Sequence, residues 1–193
     1  MTFNKPLLIV IGGPNGSGKT TLSSKLIERG RIKSKIINPD AIAYDEFGSY
    51  RHQIKAAKLA LLRRKTALNN REDFAFESTF SGKSEINDII TAKESGYEVI
   101  LYYVALRSVI DNVTRVEERQ TDLGHDVGYE DILRRHTNSQ LNPINNISLF
   151  DTAYLFDNSA SSRSRVAIFL HGQLAWVNPK HAQHPFFKEL LKG

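Results

Sequence analysis

Residues 11–22 read IGGPNGSGKTTL, with Gly12, Gly13, Gly16 and Gly18 crowded ahead of Lys19, Thr20 and Thr21. A core-forming segment does not concentrate glycine in this way, because each one gives up side-chain burial and adds backbone entropy to be lost on folding. The stretch from Gly13 to Thr20, GPNGSGKT, satisfies the pattern G-x-x-x-x-G-K-[ST]. Its flanks fit as well. Leu7 to Gly12 is a continuous apolar run, as expected of a strand buried on both faces. Leu22, Leu26 and Ile27 recur at helical spacing over residues 18–30, with Gly30 as the stop.

Strand, bare loop and helix in that order hold phosphate. Converging backbone N–H groups need conformations and a close approach that glycine alone accepts cheaply, and the helix adds unpaired amides and a positive dipole end. Gly13, Pro14, Asn15, Gly16, Ser17, Gly18, Lys19, Thr20 and Thr21 are therefore the expected nucleotide-binding set. Lys19 carries charge to the β and γ phosphates, and Thr20 offers a hydroxyl to Mg²⁺. The plain alternative, a glycine-rich turn with an incidental lysine, does not account for the strand before it and the helix after it.

Outward from this loop the chain alternates. Strands are expected at Lys35 to Asn38, Asp73 to Glu77, Glu98 to Leu106, Ala153 to Asp157 and Val166 to Leu170. Helices are expected at Tyr50 to Leu68, Lys83 to Ser95, Val109 to Arg119 and Tyr129 to Leu141, with a short terminal helix from Pro185. In the first of these, Ile54, Ala57, Leu61 and Leu62 form the predicted inner stripe, with Lys58, Arg63, Arg64 and Lys65 outside it. The pattern predicts an α/β fold, a mostly parallel sheet with helices on both faces, and one domain over residues 1–193.

Composition narrows the function classes. The 193 residues carry a net charge of +5 and no cysteine, which removes disulfides, thiolate metal sites and thiol nucleophiles. The first apolar run is too short for a membrane span, so a cytoplasmic protein without membrane attachment is expected. The positive charge fits acidic partners, but the basic residues are scattered along the sequence with no aromatic-rich basic stripe, which argues against nucleic acid. There is no N-K-x-D motif of a GTPase and no LSGGQ-like signature, and the DEFG at 45–48 lacks the apolar strand a switch motif follows.

A small-molecule kinase needs a carboxylate opposite the phosphates and arginines over the transferring group. Asp40, in the run Ile37-Asn38-Pro39-Asp40, follows the second strand, where carboxyl ends of neighbouring strands share one crevice. Its alternative role is an N-cap for residues 41–47. Glu77, Ser78 and Thr79 follow the third strand, and with Asn38 they are the candidate substrate and metal-water contacts; capping the next helix is their alternative. Arg115 and Arg119, a polar loop with Gly124 and Gly128, and then Arg134 and Arg135 make a helical lid of about residues 115–136. Arg119 and Arg134 are the preferred γ-phosphate contacts, with surface ion pairing as the alternative. His181 and His184 are expected in an exposed turn without metal-ligand spacing, and the segment from Asp157 to Ser159 lies where adenine passes in P-loop kinases.

GGPNGSGKTT, INPD, FESTFSG and RVEERQTDLGHDVGYEDILRRH, in this order, resemble the zeta-toxin-like P-loop kinases, above all their short stand-alone members. The resemblance spans roughly the whole chain and implies a three-layer P-loop kinase fold. It also implies ATP-dependent phosphoryl transfer with Mg²⁺. By analogy Lys19 binds phosphates, Thr20 binds Mg²⁺, Asp40 is the general base, and Arg119 and Arg134 stabilise the transition state. In the best-known branch the acceptor is UDP-N-acetylglucosamine, and members are often toxins held off by a small helical antitoxin. This chain is shorter than the longer toxins, which leaves less sequence for a nucleotide-sugar pocket. A polynucleotide kinase or nucleic-acid-dependent ATPase, and a non-catalytic nucleotide-binding protein, are the competing readings.

Overall fold

The computed structural model describes residues 5–107, 129–181, 184, 187–188 and 190–192. The predicted helix at Val109 to Arg119, with Arg115, Arg119 and most of the expected lid, lies outside the described residues. Among them seven strands form one sheet in the order β2-β3-β1-β4-β5-β6-β7. β1 is Leu7–Gly12, β2 Ile36–Ile37, β3 Phe74–Ser78, β4 Glu98–Ala105, β5 Thr152–Asp157, β6 Ser164–Leu170 and β7 Gln173–Val177. The first five run parallel, and β6 and β7 add an antiparallel margin. The crossovers include α1 (Lys19–Glu28), α2 (Pro39–Phe47), α3 (Gln53–Asn70), α4 (Ser84–Glu94) and α5 (Tyr129–Asn145).

Strand alternation divides the interior. Leu8, Val10, Phe74, Phe76, Leu101 and Tyr103 pack into the larger core on one face. Ile9, Ile11, Ala75 and Val104 turn the other way, against Leu22 and Leu26 of α1. The register sets Ile11 beside Glu77, Gly12 beside Ser78, and Ile37 beside Phe76. The carboxyl ends of β1, β2 and β3 therefore finish side by side, and each opens into a polar loop or a helix start.

Several expectations require correction. α3 does not bury the predicted stripe: Ile54 is 76% exposed and Leu62 60%, whereas Ala56, Ala60, Arg64, Ala67 and Leu68 face inward. Small alanines at helical spacing let α3 pack closely against α2, where Ile42, Ala43, Ala56 and Ala60 share a cluster. Arg64 tolerates burial because Nε donates to Asp88 Oδ2 at 2.6 Å and its guanidinium lies 5.1 Å over the Phe76 ring. Burial raises the Asp88 carboxyl despite that partner.

The residues after Asp40, expected only as a segment to be capped, form α2. β7 was not predicted: it is five residues long, and none of them is fully buried. It pairs with β6 through a turn in which His171 and Gly172 both have positive φ. The chain end holds a 3₁₀ turn at Leu190–Lys192. His184, expected on an exposed turn, is buried instead.

Candidate active site

The loop between β1 and α1 has the shape that its glycines allow. Gly13, Gly16 and Gly18 all have positive φ, and α1 begins directly after Gly18. A Cβ on Gly13 would meet the Val104 carbonyl oxygen at 2.4 Å, and one on Gly18 would meet Asn158 Nδ2 at 2.6 Å. Val104, Ser17 and Asn158 leave no room for a side chain at either position. Ser17 N–H donates to the Pro14 carbonyl at 3.2 Å and closes the turn. Lys19 Nζ lies over the loop and donates to the Gly13 and Pro14 carbonyls at 2.9 and 3.1 Å. The exposed amino end of α1 and the Lys19 ammonium face the same bare loop, the requirement for a polyphosphate.

Behind the loop lies a carboxylate with three partners. Glu77 is buried at the end of β3. Its Oε2 accepts from Thr20 Oγ1 at 3.1 Å and from Asn38 Nδ2 at 3.0 Å, and its Oε1 accepts from Ser23 Oγ at 2.5 Å. Thr20 and Ser23 sit one turn apart on α1, so both hydroxyls reach the same group. Asn38 then turns back and accepts from the Asp40 backbone N–H at 2.9 Å through Oδ1. Three hydrogen bonds thus run from Thr20 through Glu77 and Asn38 to Asp40.

Asn38 is the N-cap of α2, with Pro39 at the first helical position. That places Asp40 in the first turn, exposed, with its carboxylate released from the capping duty that is its alternative reading. The sequence named Asp40 as a possible cap; the residue two places earlier takes that work.

The other candidates are placed differently. Ser78 points to the opposite side of β3, where its Oγ donates to Glu85 Oε1 at 3.0 Å and accepts from the Phe80 N–H at 2.9 Å. It steadies a turn in which buried Phe80 holds φ 61°. Thr79 Oγ1 lies 2.8 Å from Ser81 Oγ. Arg134 is exposed on α5. Arg119 lies outside the described residues.

Two site residues escaped the sequence reading. Ser23 was legible in principle, three places after Thr20 on the same helical face. Asn158 was considered only as an adenine neighbour, yet its Nδ2 donates to the Ser17 carbonyl at 2.9 Å, bracing the phosphate loop from β5. The adjoining Asp157 carries a second network. Arg107 Nε lies 2.9 Å and His184 Nε2 3.4 Å from its Oδ2. Burial works to raise the Asp157 carboxyl, but hydrogen bonds from Ser159 and Arg107, with His184 nearby, outweigh it and hold it below its ordinary range. Burial depresses His184 more than Asp157 raises it.

The donor set suits Mg²⁺. A triphosphate supplies most of the oxygens of a magnesium shell, so one or two protein oxygens suffice. Thr20 Oγ1 and the Glu77 carboxylate, 3.1 Å apart, are the groups that could supply them. No cluster of three or more His, Asp or Glu able to hold a metal unaided occurs among the described residues, and none of their helices is long and apolar enough to cross a membrane.

Comparison with known proteins bears on the fold and the family. A protein of Haemophilus influenzae described only as uncharacterized is 35% identical over 124 residues, 63% of this chain and 86% of that one. Among solved structures, the AvrRxo1-ORF1:-ORF2 complex with ATP matches at a TM-score of 0.68 and 18% identity, over 97% of this chain and 64% of that one. The chain therefore spans just under two thirds of the AvrRxo1 chain it matches. The PezAT toxin–antitoxin system of Streptococcus pneumoniae matches at 0.59 and 16% identity, over 100% and 90%. The Pnkp1/Rnl/Hen1 RNA repair complex matches at 0.55 and 23%, over 73% and 46%. These likenesses show the α/β P-loop kinase fold. The Zeta toxin family model matches residues 1–158, and the chain belongs to that family.

Proposed function

We propose that the protein is a kinase that moves the γ-phosphate of ATP to a hydroxyl of a small acceptor, with nucleotide sugars as the first class to test. The hydrogen-bonded path from Thr20 through Glu77 and Asn38 to Asp40 carries this reading. It ties the tip of β2 to the phosphate loop, and Asp40 sits in the exposed first turn of α2 directly after it. Gly13 to Thr21 wrap the triphosphate, Lys19 neutralises the β and γ phosphates, and Thr20 with Glu77 holds Mg²⁺ directly or through water. Asp40 accepts the acceptor's hydroxyl proton as the oxygen attacks phosphorus and the β–γ bridge bond breaks. Arg134 and Arg119 are the cationic groups assigned to the transferring phosphoryl. Membership of the Zeta toxin family and the fold shared with a toxin–antitoxin complex support a toxic role and a small antitoxin partner.

Labelled ATP, Mg²⁺ and a panel of UDP-sugars and other hydroxyl metabolites test the activity directly. Asp40→Asn is expected to reduce transfer by a factor of about 10² or more while ATP affinity stays within a few-fold. Transfer at the wild-type rate in that variant removes Asp40 from the role of base. Growth arrest on induction of the wild-type chain, absent with Asp40→Asn, is the expected outcome of the toxin reading.

A further inference from the structure

Among the described residues, the sheet face that carries α1 is only partly covered. The larger core lies on the opposite face, while among the described residues Leu22 and Leu26 of α1, with Ile32 after it, pack over Ile9, Ile11 and Val104. Beside α1 a groove of about 1140 Å³ runs across β4, β5 and β6. Its floor includes Ile100, Tyr102, Tyr154, Phe156 and Ile168, all half-buried. Tyr102 and Tyr154 stack with centroids 4.9 Å apart.

Both walls are cationic. α1 and the chain after it contribute Lys25, Arg29, Arg31 and Lys33, and the β5–β6 side contributes Arg163 and Arg165. One carboxylate, Asp73, lines the groove, and it already accepts from the Leu7 N–H at 2.8 Å. None of the six cations makes an ion pair among the described residues. Burial and then the charge of Arg29 depress Arg163, so like charges from the two walls face one another. Arg163 lies 5.8 Å over Phe156, and Arg165 lies 5.5 Å over Tyr154. A guanidinium held against a ring by one face keeps the other for a base.

We propose that this groove binds single-stranded nucleic acid, with phosphates along the two cationic walls and bases against the aromatic and guanidinium surfaces. The sequence reading found no basic aromatic stripe because its parts lie in four separate segments; the sheet brings them together. A second copy of the chain would set cation against cation. An amphipathic protein helix wants a dry apolar floor, whereas this one carries tyrosine hydroxyls and is flanked by Thr21, Ser34, Ser161 and Ser162. A run of phosphates answers both walls at once.

Fluorescence anisotropy with labelled single-stranded RNA and DNA ten-mers, in rising KCl, tests the assignment. About five phosphate contacts predict a log–log salt slope near −3.5. Arg163→Gln with Arg165→Gln, and separately Arg29→Gln with Arg31→Gln, are each expected to weaken binding at least tenfold and flatten the slope by about 1.4. Lys19→Ala is expected to bind as the wild type does, which separates this groove from the phosphate loop and its result from the fate of the kinase reading. Comparing RNA with DNA identifies which of the two is held. A flat salt dependence, unchanged affinity in both paired variants, loss of binding in Lys19→Ala, or equally tight binding of a polyglutamate of matched charge would each overturn the proposal.

Discussion

Glu77 is held by donors from two elements, Thr20 and Ser23 on α1 and Asn38 at the start of α2. A carboxylate can accept all three, whereas an amide replaces one acceptor oxygen with a donor. Glu77→Gln is therefore expected to leave a buried donor unpaired and cost about 1–3 kcal/mol, measured by chemical denaturation. If Glu77 also holds the metal, the same variant loses the Mg²⁺ dependence of nucleotide affinity; if its role is structural only, that dependence persists. At this scale the motif from Gly13 to Thr20 was fully legible, since its meaning lies in local spacing. Glu77 was legible as a strand-end carboxylate beside the crevice. The brace from Asn158 was not, because Ser17 is its neighbour only after the sheet has formed.

The carboxyl-terminal part of α5 shows how one element corrects another. Pro143 lies inside the helix and has no N–H for the Ser139 carbonyl four residues earlier. The buried Tyr103 hydroxyl on β4 donates to that carbonyl at 2.7 Å. Burial pushes the Tyr103 phenol well above its usual range, which keeps it protonated as a donor. Tyr103→Phe keeps the ring and removes the donor, so a loss of about 1–3 kcal/mol is expected in equilibrium unfolding. Adding Pro143→Ala, which restores the helical N–H, is expected to recover part of that loss. The sequence ended this helix at Leu141, close to the proline, because a proline alone reads as a stop. The tyrosine that satisfies the helix lies on a distant strand and left no local mark. The helix α3 formed as expected, but its buried face was misread for a related reason: its arginine looked like a surface residue until Asp88 and Phe76 were seen around it.

At the scale of the whole molecule, alternating strands and helices announced the parallel α/β architecture, whose order places β1 between β3 and β4. The packing of the chain end was not legible, because His184 reads as a polar residue in a polar tail. In the structure it is buried against Asp157, with Arg107 and His181 also facing that carboxylate. A histidine with a depressed folded-state pKa binds fewer protons folded than unfolded, so its contribution is complete above the ordinary imidazole range and is lost as pH falls. Thermal stability is expected to fall between pH 7 and pH 5, and His184→Gln is expected to flatten that stretch of the Tm profile. Asp157, also depressed, adds a separate loss at more acidic pH, below the ordinary carboxylate range.

Adjacent residues at the tip of β5 answer to two different regions. Asp157 meets the tail, and Asn158 grips the Ser17 carbonyl in the phosphate loop. One peptide bond therefore joins the chain's last segment to its nucleotide cradle, and coupling of this kind is reciprocal. Filling the cradle should slow amide hydrogen exchange at His181 and His184, so that this part of the chain reports occupancy of a loop more than 150 positions earlier.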